Sequence, residues 1–153
     1  MKRGVFLLFA VTCLMVLASP PLAAAGGALL EKTVDVPREA GVTVDLTYEK
    51  ATLVYVESIN APKERDVEDA KKTDPKDKTP VLIRFHYKND DYVKQKVNLR
   101  AVLLDANGGV VADGSRSGSL DPQQKDDTFT FLVFVRTVDW PSAVKMKVIA
   151  TFK

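Results

Sequence analysis

The sequence is short of the residues that carry most protein chemistry. Its 153 residues include one cysteine, one histidine and one tryptophan. A lone cysteine cannot close an internal disulfide, and one cysteine with one histidine cannot supply the four ligands of a structural zinc site. Net charge is scarce too. Lys and Arg number 22 against 20 Asp and Glu, a formal +2, which leaves no electrostatic footprint for nucleic acid. The longest strongly apolar run, Val5 to Leu17, falls well short of the ~20 residues that span a bilayer.

What is present describes an ordinary folded domain. Hydrophobic residues make up 46% of the chain and charged residues 27%, enough apolar side chain for a real core and too much for a disordered polymer. The length suits one domain.

The first 25 residues read as an address. Lys2 and Arg3 precede the apolar run, Ser19, Pro20 and Pro21 break it, and Ala23 to Ala25 are small. This is the three-part pattern of a bacterial secretory signal, with cleavage expected between Ala25 and Gly26. Cys13 lies inside the apolar run, with Ala10 three residues before it, so it is not read as a lipidated cysteine. Cleavage would remove Cys13, Lys2 and Arg3. The remaining chain, residues 26–153, is then thiol-free and neutral, with 20 basic and 20 acidic residues. A periplasmic or secreted location is expected, with no membrane span after signal removal.

Beyond the signal, period-two alternation dominates. Strands are expected over Lys32 to Val36, Gly41 to Thr47, Ala51 to Ile59, Val81 to Lys88, Tyr92 to Asp105, Val110 to Ala112, Thr128 to Val135 and Ala143 to Phe152. In the fourth, Val81, Ile83, Phe85 and Tyr87 share one face. In the fifth, Val93, Val97, Leu99, Ala101 and Leu103 do so. Phe129, Phe131, Val133 and Val135 line up in the seventh, and Val144, Met146, Val148, Ala150 and Phe152 in the last. Half-buried strands of this kind build antiparallel sheets, so the expected fold is all-β: an immunoglobulin-like antiparallel β-sandwich of about seven or eight strands. Asn107-Gly108 marks a hairpin turn after Asp105, and Asn89-Asp90-Asp91 a second turn. The Gly/Ser-rich stretch Gly114 to Ser119 reads as a loop closed by Leu120-Asp121-Pro122. Residues 63–78 hold six basic and six acidic side chains, so they read as a charged surface loop, either a solvated insertion or a docking element.

The stretch from Val81 to Val135 resembles the FxLYD-type and related immunoglobulin-like modules of bacterial exported proteins. The matching residues are Phe85-His86-Tyr87-Lys88-Asn89, then Val97 through Asp105 to Gly108, then Leu120-Asp121-Pro122 and Phe129-Thr130-Phe131. Leu104 stands where those modules carry tyrosine, and Gln123 where glycine often follows the proline. The resemblance implies a non-catalytic extracytoplasmic module and carries over no catalytic residue.

Catalytic patterns are poorly served. His86, the single histidine, sits mid-strand between Arg84 and Lys88. Gly114-Ser115-Arg116-Ser117-Gly118 has arginine where a nucleophile elbow needs serine. Asp105, Asn107 and Asp113 invite comparison with a calcium loop, but Val110 and Arg116 occupy its glycine and glutamate positions; a turn explains Asp105 and Asn107 better. No cofactor is expected. Trp140 reads as a core lid or an exposed contact, and Tyr48, Tyr55 and Tyr92 as possible members of an aromatic surface. One constellation is sharper. If the Val81 and Tyr92 strands pair, Arg84, His86 and Lys88 join Lys94, Lys96 and Arg100 in a basic stripe for an anionic surface or partner. The competing arrangement puts the two strands in different sheets, with Asp45 or Glu57 balancing the charge.

The functional expectation is an exported, monomeric, non-enzymatic binding or accessory module of the cell envelope, its partner a protein or another envelope component. The alternatives are an assembly subunit pairing through an edge strand from Leu29 to Val36 and a hydrolase with an unrecognised carboxylate pair.

Overall fold

A computed structural model describes residues 27–60 and 77–153. The signal segment with its Ala25–Gly26 junction lies outside the described residues, as does the charged stretch apart from Asp77 and Lys78. Eight strands follow in order: β1 (Leu29–Asp35), β2 (Val42–Tyr48), β3 (Ala51–Asn60), β4 (Lys78–Asn89), β5 (Gln95–Leu104), β6 (Val110–Leu120), β7 (Gln124–Arg136) and β8 (Lys145–Phe152). They form two antiparallel four-stranded sheets, β1-β8-β5-β6 and β2-β3-β4-β7. The expected all-β sandwich is what the chain forms. Among the described residues no helix is long and apolar enough to cross a membrane.

Alternation explains the core. Val81, Ile83, Phe85 and Tyr87 of β4 face Val97, Leu99, Ala101 and Leu103 of β5 across the sandwich, joined by Phe129, Phe131, Val133 and Val135 of β7 and Met146, Val148, Ala150 and Phe152 of β8. Burying one such large side chain is worth about 1.5–3 kcal/mol. Tyr48 of β2 stacks on Phe152 of the other sheet, centroids 5.0 Å apart.

The structure departs from the sequence reading in two places. Gly114 to Ser119 is strand, not loop: it forms the middle of β6, paired with β5 from Gln95↔Leu120 onward. A Cβ on Gly114 would lie 2.9 Å from Val133 Cγ2, and one on Gly118 would lie 2.6 Å from Phe129 Cε2. These glycines therefore let β6 close over β7. Arg116 continues the closure by donating from Nη1 to the Thr130 carbonyl at 2.8 Å. Second, Tyr92 and Val93 precede β5 and are exposed, as is Val144 before β8. Of the two arrangements open for β4 and β5, the chain forms the one with the strands in different sheets, so the segment between them crosses from one sheet to the other. Buried Asn89 fixes that crossing: its Nδ2 donates to the carbonyls of Val93 (3.1 Å) and Leu120 (3.3 Å), and its Oδ1 accepts from the Asp91 N–H (3.1 Å).

The Asp105 turn is a hairpin as expected. Asp105 Oδ1 accepts the N–H groups of Asn107 and Gly109, both at 2.8 Å. Gly108 has φ +82°, a conformation glycine adopts without strain. Gln123 follows Pro122 with φ 54°, a left-handed backbone. Trp140, 9% exposed, lids the core from a short 3-10 turn, Trp140–Ser142.

Candidate functional groove on the second sheet

The crossing at Asn89 divides the six residues of the basic stripe. Arg84, His86 and Lys88 lie on the outer face of β2-β3-β4-β7, whereas Lys96 and Arg100 belong to β5 in the other sheet and Lys94 to the crossing segment. Of the two arrangements open for Arg84, His86, Lys88, Lys94, Lys96 and Arg100, the chain therefore takes the one that splits the stripe between two sheets, and the physical reason is the tertiary bonding of Asn89. Most of the charge is also balanced locally. Lys94 pairs with Asp121 at 2.9 Å, Arg100 with Asp113 at 2.6 Å and Arg84 with Glu57 at 3.4 Å.

On the second sheet a different cluster assembles. Between β3 and β4 the pairing shifts from Leu53↔Tyr87 to Tyr55↔His86. This bulge inserts Val54 and reverses the parity of the strand. Leu53 and Val56 are both buried, while Tyr55 and Glu57 come out opposite His86 and Arg84. The Tyr55 ring stacks on the His86 imidazole, centroids 4.0 Å apart and planes 12° apart. His86 Nε2 meets Glu57 Oε2 at 3.3 Å and Nδ1 meets Asp126 Oδ1 at 3.2 Å. The histidine thus stands between two carboxylates rather than in a row of cations. Both ring nitrogens therefore face carboxylate oxygens.

Beside this cluster runs a groove of about 460 Å³. One wall is the segment Pro37 to Gly41, and the floor and far wall come from Glu57, Ser58, Ile59, Asn60 and Arg84. The first wall is fixed from both sides. Ser58 Oγ donates to the Pro37 carbonyl at 2.8 Å. Arg38 Nη2 donates to the carbonyls of Trp140 and Ala143, each at 2.7 Å, and its guanidinium sits 4.3 Å over the Trp140 ring. Gly41 packs against Tyr55, where a Cβ would lie 2.7 Å from Cδ2. Trp140 therefore serves as core lid and anchor of the groove wall.

The tyrosines do not gather. Tyr48 turns into the core, Tyr55 lies on the second sheet and Tyr92, 77% exposed, projects from the crossing segment. A separate network holds Tyr87, whose hydroxyl donates to Asp127 Oδ2 at 2.7 Å and accepts the Asp121 N–H at 3.0 Å. Burial is the main cause that pushes its pKa from 10.0 to about 12, assisted by the bond to Asp127. Burial also raises Tyr55, and Glu49 raises Tyr48. Among the described residues no group of three metal-ligating side chains comes together.

Sequence reasoning singled out Arg84 and His86, and named Glu57 as a balancing charge. It missed Asp126, Ser58 and the Pro37 to Gly41 wall. The three-residue spacing of Leu53 and Val56 was the available signal for the bulge that exposes Tyr55.

No protein-family model matches the chain, and no curated protein matches it. Among solved structures it is similar to a beta-glucuronidase from glycoside hydrolase family 2. That similarity covers 53% of this chain and 7% of that one, at 11% identity and a TM-score of 0.37. A likeness so partial carries no argument about activity.

Proposed function

We propose that the chain is an exported, non-enzymatic binding module of the bacterial cell envelope, acting as a monomer through the groove between Pro37–Gly41 and Arg84. The observation that carries this reading is the groove's construction: a wall pinned to the core lid by Arg38 and to β3 by Ser58. A wall held in place before the ligand arrives spares the ordering cost of binding. His86 and Arg84 in turn fix Glu57 at the floor.

The edges of the sandwich favour a monomer over an assembly subunit. β1 pairs with β8 of its own chain. Its Lys32 stands opposite Val148, on the core side of the sheet, and a charge pointing inward on an edge strand discourages a further strand. β2 is interrupted at Thr43/Leu46, with Asp45 at φ 48°, so the other edge on that side is bulged.

The test is retention of envelope components by the immobilised chain and by its Ala40→Trp variant, which fills the groove from an exposed wall position. A component held by the parent and lost by the variant supports the reading. Equal retention by both, or none by either, overturns it.

A further inference from the structure

We infer that the groove takes a neutral, hydroxyl-rich ligand, a short oligosaccharide, an inference that rests on the binding-module reading above. Four ionisable side chains line it: Arg38, Arg84, Glu39 and Glu57. Their formal charges cancel. Arg38 is occupied by the carbonyls of Trp140 and Ala143, so the groove offers an anion one guanidinium, already bonded to Glu57, beside two carboxylates. A phosphate or carboxylate is therefore poorly served.

An extended peptide is poorly served as well. Peptides captured by sheets add a strand to a free edge. The strands flooring this groove, β3 and β4, are the two inner strands of their sheet, so their main-chain groups already serve neighbouring strands.

What remains suits hydroxyls, each of which is both donor and acceptor. Arg84 Nη1 and Glu57 Oε2 lie 3.4 Å apart, a donor and an acceptor side by side, as neighbouring hydroxyls of a sugar ring present them. Glu57 Oε2 is shared between Arg84 and His86, and Glu57 Oε1 has no partner among the described residues. Asn60 adds an exposed amide, while Pro37, Ala40 and Ile59 supply small apolar surfaces against which ring C–H groups pack. The volume lies within the range of roughly 300–1,000 Å³ typical of small-ligand sites.

The experiment is an amide chemical-shift titration of the full chain with maltohexaose, cellohexaose and chitohexaose in turn. Trigalacturonate and an extended alanine-rich peptide serve as contrasts. Saturable shifts confined to residues 38–41, 57–60 and 84 with at least one neutral sugar are expected, unchanged between low and high salt. Arg84→Gln and Glu57→Gln, each checked for an unaltered fold by circular dichroism, should each weaken that binding about tenfold or more. Shifts at the same amides from trigalacturonate or the peptide alone would overturn the ligand class and leave the groove's binding role standing. No shift there from any of the five would remove both. Binding by a neutral sugar that both variants retain in full would overturn the role given to the Arg84–Glu57 pair.

Discussion

Removing the Tyr87 hydroxyl should cost stability at neutral pH and almost none at high pH. In Tyr87→Phe the Asp121 N–H loses its acceptor and the Asp127 carboxylate loses a donor at 2.7 Å. A hydrogen bond to a charged group is worth about 1.5–3 kcal/mol, and the orphaned N–H adds to this where water cannot reach it. Asp127 is only half-buried and recovers part of the loss from solvent, so a net cost of about 2–3 kcal/mol is expected at pH 8. That lowers Tm by about 6–12 °C for a domain of this size. The folded pKa of about 12 against 10.0 for a free tyrosine fixes the pH dependence. Below pH 10 both folded and unfolded chains keep the phenol proton, and the hydroxyl contributes in full. Between pH 10 and 12 the unfolded chain ionises while the folded chain does not, so unfolding becomes easier and the contribution drains away. Two pH units correspond to at most about 2.7 kcal/mol. The parent and Tyr87→Phe stability curves should therefore converge as pH rises from 10 to 12. Urea unfolding followed by Trp140 fluorescence measures both, and the difference between the two proteins cancels lysine titration, which is common to them. A difference that stays constant from pH 8 to 12, or a phenolic absorbance titration in which the step lost in Tyr87→Phe lies near pH 10, would refute the reasoning.

Gln123→Gly should raise stability by up to about 1 kcal/mol, because φ 54° costs a side-chain-bearing residue what it does not cost glycine; a lower urea midpoint would count against the left-handed conformation. Gly118→Ala should destabilise by about 1–3 kcal/mol, since the new methyl meets the Phe129 ring at 2.6 Å and β6 must lift away from β7. A neutral result would mean that β6 and β7 do not approach so closely. The chain recovered from a bacterial periplasm should have a mass beginning at Gly26, without Cys13 and unreactive to thiol reagents; a full-length, thiol-bearing product would remove the export reading.

Legibility followed the range of the interactions. Where a strand buries one face against the core, alternation is written in neighbouring residues, and β4, β5, β7 and β8 present Phe85, Leu99, Phe131 and Phe152 inward as their patterns say. β6 beyond Ala112 was illegible because Gly114 and Gly118 weaken the strand signal in order to permit an approach to β7 that no local pattern encodes. The split of the basic stripe was undecidable for a similar reason. Asn89, Asp90 and Asp91 read equally as a hairpin turn or as a crossing, and what decides is the bonding of the Asn89 side chain to Leu120, 31 residues away. Arg84 and His86 were visible as residues, but their partners were not. A bulge at Val54 chooses the face of Glu57, and Asp126 arrives from β7, 40 residues beyond His86.

The groove's chemistry is separable from the fold's stability, which is why a sandwich can carry it. Arg84 and Glu57 lie on the outer face, each about a third exposed, and a cross-strand pair of that kind contributes only about 0.2–1 kcal/mol. Buried side chains such as Phe85 and Ile83, the immediate neighbours of Arg84 along β4, hold the sheets together. One strand therefore serves both purposes on opposite faces: the inward residues are constrained by packing and the outward ones are free to be chosen for a ligand. The wall differs. Arg38 reaches the carbonyls of Trp140 and Ala143 and covers the core lid, so its loss would loosen the groove and uncover the core together. Arg84 and Glu57 are consequently the positions where the proposed binding can be tested without loss of fold, and Arg38 is the position where a loss of either could not be told apart.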